Sequence, residues 1–243
     1  MTDAKLLTAI LTVSTLFSPY CYAAQWFVDG IAYAPNSQQT LYTEHHQVSV
    51  DQLGQTLQSK VLYRSPDGQQ FADKVIDYRH SQTAPDVLFS DHRNQTQIEV
   101  VNKPQSIVIT YTTAGKQQRQ SVGYKAEDKV VIDAGFNHFV LQHWSALLAG
   151  DKIVFAFLAI DRAKLIDFSV EKIAQTADKL ELAIKPDSFF IGLLVDPIVL
   201  SYSRHSRQLQ TYQGLTNLQR AEKGQLKSGN FVARIEYVYQ QQH

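Results

Sequence analysis

From about residue 26 onward, apolar and polar side chains alternate in short runs rich in β-branched and aromatic residues, and turn-forming residues separate the runs. A period of two sends successive side chains to opposite faces, so this pattern predicts half-buried strands of an antiparallel sheet. The runs fall at Trp26–Ala34, Gln39–Val50, Gln55–Arg64, Gln70–Arg79, Val87–Asp91, Thr96–Val101, Ile107–Thr113 and Arg119–Lys125, and again at Lys152–Leu158, Ile166–Ile173, Lys179–Lys185, Ile198–Ser203, Gln208–Gln213 and Asn230–Tyr239. Ser65-Pro66-Asp67-Gly68 predicts a hairpin, because proline presets the first turn torsion and glycine accepts a positive φ. The polar, Gly/Lys-containing stretch Gln219–Gly229 reads as an exposed loop before the last strand.

One segment changes period. Between Asp133 and Gly150, the residues Phe136, Phe139, Val140, Trp144, Leu147 and Leu148 recur at helical spacing, with Asp133 placed to cap the start and Gly150 to end it. Many strands and one amphipathic helix give a mainly β, β-rich α+β fold: an antiparallel curved sheet or half-barrel with the helix packed against it. The run Ser188–Val195 is almost wholly apolar and fits either a strand buried on both faces or a short helix. A membrane β-barrel is the minor alternative, since such barrels do not ordinarily divert into an amphipathic helix.

The first residues add a compartment. Lys5, the apolar run Leu6–Phe17, Pro19 and the small residues Ala23 and Ala24 follow the order of a cleavable signal peptide, and the apolar run is too short to span a bilayer. Residues 1–24 are therefore expected to be an export signal, and 25–243 a single β-rich periplasmic domain with no transmembrane segment. Cys21 is the single cysteine, and the preceding Ser18-Pro19-Tyr20 is unlike a lipoprotein box, so it is expected to leave with the signal. That excludes disulfides, thiol catalysis and thiolate metal ligands from the mature chain. With 23 basic and 23 acidic residues, the charge gives no argument for nucleic acid or an anionic surface.

Chemistry is sparse. No Gly-x-Ser-x-Gly elbow and no His-Glu-x-x-His helix occurs, and Gly224-Gln225-Leu226-Lys227-Ser228-Gly229-Asn230 has phosphate-loop spacing with Asn230 where lysine is needed. His138 and His143 lie five apart, roughly 140° around a helix, so they cannot readily share a ligand. Glu44 and His46 share one face of a strand and could form a dyad, but with no third partner in view a plain strand pair is the favoured reading. No catalytic residue, metal ligand or cofactor is assigned.

Gly30-Ile31-Ala32-Tyr33, Leu41-Tyr42-Thr43-Glu44-His45-His46, the helix from Asp133-Ala134-Gly135-Phe136 to Trp144, the run Leu194 to Tyr202 and Tyr212 to Leu218 together resemble a family of proteobacterial secreted or periplasmic envelope proteins, a domain of unknown function. More distantly, the pattern resembles the half-barrel of periplasmic lipoprotein carriers. The first resemblance implies a location. The second implies a curved sheet and helix enclosing an apolar pocket, with Phe136, Phe139, Val140, Trp144 and Leu147 as ligand-binding residues for a lipid or acyl chain. Three functions are carried forward. They are non-catalytic binding or carriage of such a ligand, an envelope assembly module whose core is filled by its own side chains, and a hydrolase built around Glu44, His46 or His143.

Overall fold

The computed structural model describes residues 24–187, 196–222 and 225–240. Residues 1–23 of the expected export signal, Cys21 among them, and the run Ser188–Val195 lie outside the described residues. Among the described residues, fifteen strands form one sheet: β1 Ala24–Tyr33, β2 Thr40–Val50, β3 Thr56–Arg64, β4 Gln70–Asp77, β5 Asp86–Asp91, β6 Thr96–Lys103, β7 Ser106–Thr113, β8 Lys116–Gly123, β9 Val130–Val131, β10 Ile153–Ala159, β11 Lys164–Gln175, β12 Lys179–Pro186, β13 Ile198–Ser203, β14 Leu209–Glu222 and β15 Gln225–Tyr239. Between β9 and β10 stand α1, Gly135–Gln142, and α2, Trp144–Ala149.

The sheet runs in the order β8-β7-β6-β5-β4-β3-β2-β1-β15-β14-β13-β12-β11-β10-β9, so each half is a meander and the two chain ends meet where β1 pairs with β15. Every pairing is antiparallel except β9 with β10, which the helical crossover makes parallel. The sheet is strongly curved and does not close by hydrogen bonding. Its two ends instead meet through side chains: Ile76, Val87, Val100, Ile107 and Ile109 of the first half pack on Val130, Ile132 and Leu158 of the second. The Ile132 amide donates to the Thr83 carbonyl at 3.0 Å, and the Tyr111 hydroxyl donates to the Ile160 carbonyl. Gly135 sits at this seam because nothing larger fits; a Cβ there would lie 2.1 Å from the Thr83 carbonyl oxygen.

Three expectations change. The helix is two helices, broken at His143, whose backbone leaves the helical region (φ −102°, ψ 16°) while its Nδ1 bonds the Phe139 carbonyl at 2.9 Å. A side chain entering the carbonyl ladder is a known cause of such breaks. Asp133 does not cap α1; Ala134 flanks the helix start without a side-chain cap, and the Asp133 side chain turns to Lys74. Residues 219–222 and 225–229 of the stretch expected to be a loop are the far part of the long β14–β15 pairing, with Gln219 opposite Asn230 and Ala221 opposite Leu226. Polar side chains there sit on a half-buried ladder, where Gln219 donates to the Lys227 carbonyl at 3.0 Å.

Candidate functional site

Two polar sets stand out in the sheet, the first built by strand register and the second by a contact across the barrel. In the first, Tyr63 of β3, Glu44 of β2, Gly30 of β1 and Tyr237 of β15 stand in one row across four adjacent strands. Gly30 leaves its slot empty, and the Tyr237 ring fills it: a Cβ at Gly30 would lie 3.0 Å from that ring. The ring thereby crosses β1, and its hydroxyl donates to Glu44 Oε2 at 3.3 Å. His46, two residues along the same face, bonds the same oxygen through Nε2 at 2.9 Å.

Glu44 is only 7% exposed, yet its ion-pair partner is a histidine, whereas the other buried charges, Lys74 and Asp91, face full opposite charges on Asp133 and Arg93. Half-buried rings lie along the same strands: His46 packs edge-on to Tyr237 at 6.0 Å, and Trp26 stacks on Tyr239 at 5.9 Å. Burial pushes the hydroxyls of Tyr42, Tyr63, Tyr212 and Tyr237 upward, and the Glu44 carboxylate adds to the shift in each.

The second set is a tie across the barrel. Lys74 of β4 donates to both oxygens of Asp133 at 3.0 and 2.9 Å, and Asn217 of β14 donates to Oδ2 of Asp133 at 3.0 Å. The β9–α1 connection is thereby fastened to two strands that stand five places apart in the sheet. Asp133 holds φ at +46° to reach them, a conformation that aspartate tolerates better than most residues.

The five helix residues singled out from the sequence come together in one cluster. Phe139, Val140, Trp144 and Leu147 are buried, and Phe136 packs partly buried beside them, against Phe155, Val170, Leu182, Leu200 and Tyr202. Two open clefts are lined by described residues. One, of about 250 Å³, lies between α1 and the 81–84 and 124–130 segments and is bordered by Phe139, Gln142 and His143; the other lies at Asn36, Ser37, Gln38 and Arg234. Of the five, only Phe139 borders either cleft.

His138 packs edge-on to Tyr78 at 4.9 Å, and its burial holds its pKa below the ordinary histidine value. His143 is spent on the helix break, so the two helical histidines do not converge. Sequence reasoning found Glu44 and His46 but missed Tyr237, Lys74, Asp133 and Asn217 as polar partners. A glycine inside the first strand, at position 30, was the one local sign that a ring approaches there. Among the described residues, no group of three or more His, Cys, Asp or Glu side chains is placed to hold a metal. No helix among them is long and apolar enough to cross a membrane.

A curved, non-closed antiparallel sheet with a helical crossover at its seam defines a β-barrel-like protein. Its fold is similar to the crystal structure of a β-barrel-like protein of Domain of Unknown Function DUF1849 from Brucella abortus, with a TM-score of 0.51 at 6% identity over 90% of this chain and 97% of that one. The chain matches no family model and no curated protein.

Proposed function

We propose that this protein is a non-catalytic interaction module of the bacterial cell envelope, exported by the signal expected in residues 1–24, that acts by presenting a rigid barrel-like sheet to a partner. The observation that carries the reading is the filled interior. The helix face that would border a ligand pocket is taken up by the protein's own side chains, with Val140 and Leu147 at 0% exposure and Phe139 at 2%. Two interior polar sets are likewise committed within themselves, the Lys74–Asp133–Asn217 tie and the His46–Glu44–Tyr237 set. A hydrolase that used Glu44 and His46 to activate a serine or threonine requires that hydroxyl on His46, and the hydrogen bonds of the described residues place none there.

A second reading, carriage of a lipid-like ligand, is favoured by the half-buried rings of Trp26, His46, Tyr237 and Tyr239 along β1, β2 and β15, and by Glu44, a carboxylate whose ion-pair partner among the described residues is a histidine. A ligand with an apolar body and a donor head group would suit those rings and that carboxylate. Native mass spectrometry with solvent extraction, on protein purified from the envelope fraction, separates the two. The module reading expects the bare chain mass after loss of the signal and no extracted lipid. A stoichiometric lipid-like adduct that Glu44→Gln weakens would overturn it in favour of carriage.

A further inference from the structure

The two edges of the sheet are treated differently. At one end, β9 is two residues long, both buried, and the Ile132 amide that follows is bonded to the Thr83 carbonyl. At the other end, β8 runs eight residues with no bulge and no proline in its pairing to β7, and every residue but Val122 is exposed. Short or covered edges are among the usual protections against unwanted pairing, and β8 has neither; its only such device is the pair of charges on Lys116 and Arg119.

We infer that β8 pairs with β8 of a second copy of this chain across a two-fold axis, joining two barrels through a continuous antiparallel sheet. This rests on the interaction-module reading and names its partner. Backbone phase selects the groups. The Tyr124 amide donates to the Gln105 carbonyl at 3.1 Å, which fixes the even-numbered residues of β8 as those bonding toward β7. The odd-numbered residues Gln117, Arg119, Ser121 and Gly123 therefore turn their amides and carbonyls outward, where no described residue pairs with them.

A two-fold axis normal to the sheet requires a residue to face its own copy, which leaves three central registers. Centring on Arg119 sets two guanidinium groups directly opposite each other, which is destabilising. Centring on Ser121 runs the ladder past Gly123 into the segment after β8. Centring on Gln120 keeps the whole ladder from Gln117 to Gly123 within β8. It sets Gln117 opposite Gly123, Gln118 opposite Val122 and Arg119 opposite Ser121, so all four outward residues are paired and the two Arg119 side chains are moved from directly opposite to diagonal positions. The formal net charge of zero means that two copies do not repel as wholes.

The register makes the test specific. In this arrangement Gln120 faces Gln120 of the other copy as a non-hydrogen-bonded pair, whose Cα separation of about 4.5 Å suits a disulfide, whereas the two Gln118 positions are about four residues apart along the ladder. In a Cys21→Ser background, oxidation is expected to cross-link Gln120→Cys about tenfold or more faster than Gln118→Cys. Light scattering across a concentration series should show a dimer that Ser121→Pro converts to monomer, since proline there removes an outward amide and leaves the β7 bonds intact.

Equal cross-linking of the two cysteine variants, a monomer at every concentration, or a dimer indifferent to Ser121→Pro would each overturn the pairing. A ligand-free monomer would remove self-pairing while leaving the module reading standing. A lipid adduct on a dimer with the Gln120 cross-link would do the reverse.

Discussion

Burying Lys74 takes an ammonium out of water, and the bidentate contact with Asp133 compensates it at a site where the two side chains are 8% and 6% exposed. Such a pair costs much when one member is lost and little when both are replaced by neutral groups that fit. Asp133→Asn keeps the tolerance for φ near +46° and an oxygen for Asn217, so it isolates the charge. It is expected to lower stability by about 3–5 kcal/mol, as is Lys74→Met. The double variant Lys74→Met/Asp133→Asn should return to within about 2 kcal/mol of the parent. Urea unfolding of the four proteins measures this cycle, and additive single losses would show that the tie is not an ion pair in energetic terms.

At the scale of elements, Gly135 decides how α1 meets the rest of the sheet. Two effects of Gly135→Ala oppose each other. Alanine is favoured over glycine in a helix by about 1 kcal/mol, whereas a Cβ placed 2.1 Å from the Thr83 carbonyl oxygen forces backbone apart at the seam. The clash is with backbone and cannot be relieved by a rotamer, so a net loss of at least ~1 kcal/mol is expected. Thermal unfolding gives the sign directly, and a rise in Tm would mean that the seam yields freely.

The elements themselves were largely legible, because a curved sheet with one buried face writes its period of two into β1–β7 and β10–β13. The legible part stops where the buried positions are not apolar. In β14 burial still alternates past Gln213, at Gly214, Thr216 and Leu218, but a glycine and a threonine hold two of those three slots, and β9 is too short to show a period. Glu44 and His46 could be placed on one face because they share a strand. Tyr237 is 193 positions from Glu44, and Asp133 is 59 from Lys74, separations that only the closing of the β1–β15 pair and of the seam brings together.

The whole molecule has a tyrosine-rich interior, and this sets its response to alkali. Burial is the first cause of the upward shift at Tyr42, Tyr63, Tyr78, Tyr202, Tyr212, Tyr237 and Tyr239, with Tyr239 pushed up to about 12. In the unfolded chain these groups ionise near pH 10, so above that pH the folded state binds more protons and stability falls as pH rises. Below pH 10 both states are protonated, and the contribution is fully present. Stability from denaturant curves is therefore expected to decline steeply above about pH 10, with phenolate absorbance lagging until the barrel opens. Glu44→Gln separates the causes, because its carboxylate is the second contribution at Tyr42, Tyr63, Tyr212 and Tyr237, and burial is the first. The variant should keep most of the alkaline decline. If the decline vanished with Glu44, the interior tyrosines would be held up by that single charge, and the packed barrel on which the module reading depends would be looser than its contacts imply.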